Sequence, residues 1–108
     1  MSSTRILVVD DESDIRTTLR EVLADEGYEV DVAADAAQAR AARGRAEHDL
    51  VLLDIWMPDT DGITLLREWA DANAMTCPVV MMSGHGTVET AVEATRLGAF
   101  DFVEKPLS

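Results

Sequence analysis

Short runs of consecutive apolar residues recur along this chain at near-regular spacing, and that rhythm restricts the folds open to it. The runs are Ile6 to Val9, Leu50 to Leu53, Val79 to Met82 and a weaker one at Phe100 to Val103, with an alternating segment at Tyr28 to Val32. Each has strand length and is bounded by polar or turn-forming residues, so five strands are predicted. Continuous apolar runs suit strands covered on both faces. Tyr28, Val30 and Val32 instead alternate with Glu29 and Asp31, and Phe100 and Phe102 bracket Asp101, which suits edges.

Helical patterns fill the intervals. Ile15, Leu19, Val22 and Leu23 form an i, i+4, i+7, i+8 stripe, and Gly27 stands where a C-terminal cap belongs. Asp35 with Gln38 resembles a capping box opening an Ala-rich helix to about Arg43. Gly62 to about Ala72 and Thr87 to about Leu97 supply two more. Strict β-α alternation makes a parallel sheet with right-handed crossovers, and the second strand at an edge gives the order 2-1-3-4-5 of the flavodoxin-like, doubly wound α/β folds. A chain of 108 residues has room for one such domain.

In open sheets of this kind a site forms beyond the carboxyl ends of the strands, near the reversal of strand order. Asp10, Asp11 and Glu12 follow the first strand, Asp54 the third, Ser83 and Gly84 the fourth, Lys105 and Pro106 the fifth. Crowded carboxylates repel one another, and a hard divalent cation such as Mg2+ relieves that repulsion with oxygen ligands. A phosphoryl group entering such a site would bridge metal, carboxylate and ammonium. Asp54, after the central run, is the candidate nucleophile, because an aspartate carboxylate can form an acyl phosphate.

The segments VVDDE, LLDIWMPDTDG, MMSGHG and FDFVEKP, in that order, resemble the successive signatures of response-regulator receiver domains, the CheY-like superfamily of bacterial two-component systems. The likeness covers nearly the whole chain, and SGHGTVETAVEATRLGAFDFVEKPLS resembles more narrowly the NtrC/NtrX class. The resemblance implies a phosphoacceptor switch, with Asp54 as acceptor, Asp10 and Asp11 in an acidic pocket, and Mg2+ held by Asp11, Asp54 and the backbone carbonyl of Trp56. It implies that the Ser83 hydroxyl, the Gly84 amide and Lys105 bind phosphoryl oxygens. Pro106 would follow a cis peptide bond that aims Lys105. Phe102 would occupy the aromatic-switch position and turn inward as Ser83 moves. The implied partners are a sensor histidine kinase, a covalent output domain of the sigma-54-type ATPase activator kind with a DNA-binding domain, and a second copy in a homodimer. A fifth helix usual in the family is absent from the chain, which stops at Ser108, a residue suited to cap it. The expectation is therefore a receiver domain over 1–108, truncated before its last helix, with an exposed apolar strip.

Blander readings compete at each position. Asp10 and Asp11 could only cap the first helix, Ser83 could be an ordinary strand-end hydroxyl and Lys105 a solvated charge. Asp59, Asp61, Gly62 and Glu68 fit a calcium loop, but Met57 and Pro58 spoil its start. Asp61 can cap the third helix, and Asp59 and Asp61 are expected to be solvated loop acids. His48 and His85 lack further ligands at zinc spacing, Cys77 is expected to be a quiet buried thiol, and Trp69 is expected to pack.

Composition excludes several classes. The net charge of −12 repels nucleic acid, and a 47% apolar content argues against disorder. One cysteine allows no internal disulfide, no apolar run suits a spanning helix or signal peptide, and the cytoplasm is the expected location. No glycine-rich nucleotide loop is present. An aspartyl-phosphate phosphatase needs an acid two residues beyond the nucleophile, where Trp56 stands. A flavin carrier would meet acidic DDE where a phosphate loop belongs, leaving a degenerate receiver that only binds partners as the remaining alternative.

Overall fold

The computed structural model describes residues 4–84 and 88–105. Five parallel strands, β1 (Arg5–Val9), β2 (Glu29–Ala33), β3 (Leu50–Asp54), β4 (Val79–Ser83) and β5 (Asp101–Glu104), stand in the order β2-β1-β3-β4-β5. Four helices connect them: α1 (Ser13–Asp25), α2 (Ala36–Arg45), α3 (Gly62–Asp71) and α4 (Val88–Arg96). The predicted alternation and strand order are both observed.

Register assigns side chains to two faces. Leu7, Val51 and Val79 lie in one row and Val9, Leu53, Met81 and Phe102 in the next. This face carries the main core, closed by Ala36, Ala39 and Ala42 of α2 and by Ile63, Leu65, Leu66 and Trp69 of α3, with Ala94 of α4. Alanines three apart let α2 approach the sheet closely. The opposite rows, Ile6 with Leu50 and Val8 with Leu52 and Val80, face α1. Ile6 and Val8 are buried there, whereas Leu50, Leu52 and Val80 are only half-buried.

Several predicted boundaries move by one residue, for identifiable reasons. Tyr28 is not in β2, because its amide closes the end of α1 on the Leu23 carbonyl while Gly27, at φ 93°, donates to Ala24. That is a Schellman stop, and it occupies the position predicted for the cap. Asn73 at φ 57° and Gly98 at φ 106° end α3 and α4 in the same way, through Ala74 to Trp69 and Ala99 to Ala94. Phe100 precedes β5 and is exposed. The capping box of α2 is modified: Asp35 accepts from the Gln38 amide, but the Gln38 side chain accepts from Ala34 rather than Asp35.

At the far end of the sheet, Arg5 donates to both Asp31 oxygens and to Glu29, and His48 Nε2 lies 2.8 Å from Asp31 Oδ2. Burial pushes the Asp31 carboxyl upward, but its hydrogen bonds from His48 and Arg5 outweigh this and hold it below the ordinary range. His48 is therefore a buried structural partner of Asp31. Cys77 is half-buried rather than buried, with its sulfur 3.3 Å from Arg43 Nη1, while the same guanidinium lies over the Trp69 ring.

Candidate functional site

Each strand delivers its side chain to the rim through its last ladder bond. The Asp10 amide donates to Ala33 at 3.0 Å, the Ile55 amide to Met82 at 3.1 Å, and the Lys105 amide to Ser83 at 2.9 Å. These bonds carry the sheet geometry one residue past the strand ends, so Asp10, Asp54 and Lys105 start from fixed backbone. Asp10 is fully buried, Asp54 is 3% exposed and Ser83 is fully buried. Asp11 and Gly84 lie at the exposed rim, and Trp56 is exposed beside the acceptor strand.

Lys105 Nζ brings the constellation together. It lies 2.7 Å from Asp10 Oδ2, 3.4 Å from Asp54 Oδ1 and 3.5 Å from Glu12 Oε1. Lys105 is thus no solvated charge. Burial works against its ammonium, but the hydrogen bond to Asp10 and the charges of Asp54 and Asp10 overcome this and raise its pKa. Asp54 moves the other way. Burial, then the charge of Asp10, push its carboxyl up to about 6, with Lys105 opposing and Asp11 adding to the rise.

The acidic turn is held by its own chain. Asp10 Oδ1 accepts from the Glu12 amide at 2.9 Å, and the Asp10 carbonyl accepts from Arg16 Nη1 at 2.8 Å. The N-cap of α1 is Glu12, without a side-chain capping bond. The helix-capping reading of Asp10 and Asp11 therefore does not describe their place. The carboxylates of Asp10, Asp11 and Glu12 each offer an oxygen within 4.8 Å of the others. Hard oxygen donors in excess over one lysine are the chemistry that Mg2+ requires, so the residues fit that ion. Glu12 was not among the predicted ligands.

The loop after β3 holds two further acids. Asp61 caps α3, accepting from the Thr64 amide and hydroxyl. Asp59 is not merely solvated: its carboxylate accepts from the amides of Ala36 and Ala37, in the first turn of α2, and from Thr60. Gly62 sits so close to β3 that a Cβ there would run into the Asp54 carbonyl group. Its amide donates to Ile55 at 2.6 Å. Phe102 is half-buried and packs against the main core. Pro106 and the cis bond expected before it, His85 and Ser108 lie outside the described residues.

Sequence reasoning missed Arg16 and the α2 contacts of Asp59. Arg16 lies six residues beyond Asp10 and could have been found from helical reach. The α2 partners of Asp59 are 23 and 22 residues away, and no local pattern signals them.

An open parallel sheet of this order, with buried acids and a lysine at its carboxyl rim, defines a receiver-type α/β module. Residues 6–108 match the model of the response regulator receiver domain, and the chain belongs to that family. The chain is similar to regulators of the NtrX and NtrC types. It is 45% identical over 109 residues to the nitrogen assimilation regulatory protein NtrX of Azorhizobium caulinodans, covering 95% of this chain and 23% of that protein. It is 44% identical to the regulatory protein AtoC of Escherichia coli, covering 94% of this chain and 22% of that one. The crystal structure of the receiver domain of NtrX from Brucella abortus superposes with a TM-score of 0.85 at 50% identity, over 95% of this chain and 87% of that one. A receiver from Methanospirillum hungatei reaches 0.92 at 33% identity, over 99% and 85%. The chain spans about a quarter of the length of these NtrX and AtoC relatives. Among the described residues, no helix is long and apolar enough to cross a membrane.

Proposed function

We propose that this receiver domain is a phosphorylation switch in which Asp54 takes a phosphoryl group from the phosphohistidine of a sensor kinase. The convergence of Lys105 Nζ on both Asp10 and Asp54 is the observation that carries this proposal. An Asp54 oxygen attacks phosphorus, the phosphorus–nitrogen bond of the donor breaks, and its electron pair returns to the imidazole. The product is a mixed anhydride on Asp54. Lys105 supports the ionised nucleophile and then pairs with a phosphoryl oxygen, while the Ser83 hydroxyl and the Gly84 amide donate to another. Asp11, Asp54 and the Trp56 carbonyl would hold Mg2+, with Asp10 completing the acidic pocket. Bound Mg2+ supplies charge neutralisation for carboxylates and phosphoryl group together.

Movement of Ser83 toward the phosphoryl group leaves space for Phe102 to pack further inward, and with no hydroxyl this side chain signals through packing. The half-buried Phe102 against the core supports that role. Population shift then acts on an output domain of transcription-regulator type, in keeping with the regulators to which the chain is similar. A cytoplasmic setting and a homodimer belong to the same proposal.

The test is intact mass after incubation with Mg2+ and acetyl phosphate. One hydroxylamine-labile phosphoryl adduct is expected, absent from Asp54→Asn. An adduct retained in that variant would overturn the acceptor assignment, and none in folded parent protein would favour a module that binds partners without phosphorylation.

A further inference from the structure

Asp59 joins two parts of the molecule that the chemistry alone does not require to touch. The loop from Ile55 to Asp61 leaves the acceptor strand, and its Trp56 carbonyl is a proposed Mg2+ ligand. One end is anchored by the ladder bond from Ile55 to Met82 and the other by Gly62 against Ile55. Between these anchors the loop is held from outside, by α2. Both Asp59 oxygens are engaged there, Oδ1 by the Ala36 amide and Oδ2 by the Ala37 amide, each at 3.1 Å. The Thr60 amide donates to Oδ1 at 2.7 Å, fixing the carboxylate on its own backbone. Amides at a helix N-terminus are unsatisfied and favour an anion, so this carboxylate has reason to stay where it is. From the next turn of α2, Arg40 reaches Thr60 Oγ1 at 3.4 Å and forms a paired contact with Glu68 of α3.

We propose that Asp59 is a positioning residue for the acceptor loop: by fastening its middle to the first turn of α2, it sets the place of the Trp56 carbonyl and so the affinity for Mg2+. Asp59 touches neither the acceptor nor the metal position; it acts through the loop backbone. This inference rests on the proposed acceptor site. The residue Asp35 provides a natural control, since it caps the same helix end through Gln38 but has no bond to the loop.

The experiment titrates the parent, Asp59→Ala, Asp59→Asn and Asp35→Ala chains with Mg2+, following the fluorescence of Trp56, which is exposed beside Asp54 while Trp69 is buried. Phosphoryl uptake from acetyl phosphate is measured by intact mass across the same Mg2+ range. Asp59→Ala is expected to weaken Mg2+ binding about tenfold, as loss of a group supporting a metal ligand does. At saturating Mg2+ its rate of phosphoryl uptake should return to within about twofold of the parent, because the reacting groups are untouched. Asp59→Asn, which keeps one acceptor oxygen, should recover part of the affinity, and it carries the test if Asp59→Ala does not fold. Asp35→Ala should keep the parent affinity. Parent-like Mg2+ binding in folded Asp59→Ala and Asp59→Asn overturns the proposal, as does an equal loss in Asp35→Ala, which would reduce Asp59 to a helix cap. A parent chain that neither binds Mg2+ nor takes up phosphoryl overturns the acceptor site itself, and the role of Asp59 falls with it.

Discussion

Asp54 is placed where its own charge is unwelcome. Burial and Asp10 raise its carboxyl from an ordinary value of about 3.9 up to about 6. In a metal-free solution the nucleophile is then lost as the pH falls through about 6, and phosphoryl uptake at limiting Mg2+ should fall with it. Stability moves the opposite way. The folded-state pKa lies above the unfolded one, so the ionised group opposes folding above about pH 6, and this cost disappears below about pH 4. Asp54→Asn is therefore expected to stabilise the metal-free protein by on the order of 1 kcal/mol at about pH 7.5, and to have little effect near pH 4. Urea titrations at the two pH values, without Mg2+, check this; equal effects at both would show that ionisation of Asp54 is not the cause. Neither the burial of Asp54 nor the reach of Lys105 to Asp10 is written in a local motif. The sequence placed these residues at strand ends along one rim, and only the packed sheet brings Lys105 to within 2.7 Å of Asp10 and 3.4 Å of Asp54.

Among the elements, α3 begins in close contact with the end of the acceptor strand. Its first residue, Gly62, meets the Asp54 carbonyl so closely that any side chain must push strand and helix apart. Gly62→Ala should cost about 2–3 kcal/mol, the range of overpacking in a tight contact, and should slow phosphoryl uptake by displacing Asp54. Urea denaturation gives the first quantity and intact mass the second; a neutral change in both would mean that the contact opens without cost. The sequence marked Gly62 as a turn residue at the start of a helix. It could not show the reason for glycine there, which is a neighbour and not a backbone angle. The same limit explains the shifted boundaries. Tyr28 alternates correctly for β2, yet its amide is claimed by the end of α1, and that capping bond outweighs the period. Where one side chain acts within three residues, as Asp61 does on Thr64, the pattern was readable in advance.

For the whole molecule, the order of strands was legible because two segments alternate and three do not, and edge strands have one face less to bury. The unequal closure of the two faces was only partly legible. On the α2–α4 face Leu7, Val9, Val51, Leu53, Val79 and Met81 are buried, whereas Leu50, Leu52 and Val80 on the α1 face keep part of their surface. The charge of −12 is spread over 108 residues, and among the described residues four of the nine Lys and Arg side chains form ion pairs with acids, as in Arg40 with Glu68 and Arg67 with Glu93. The surplus acid repels itself, and that repulsion is long-range in dilute buffer. Raising NaCl from about 20 to about 500 mM should therefore raise the thermal midpoint by about 3–5 °C, on the order of 1 kcal/mol. A fall in the midpoint would mean that the surface ion pairs outweigh the repulsion.

The left-handed stops at Gly27, Asn73 and Gly98 also bear on how the domain tolerates alteration. Each reverses the chain through its own local bonds, and each leads into a strand at the end of the sheet remote from the acids. The loops at the other end are bound to one another, as Asp59 is to α2 and Lys105 to Asp10. Insertions, labels or surface tethers are thus best accommodated beside those three stops, while lengthening a loop at the opposite end by even one residue alters the chemistry.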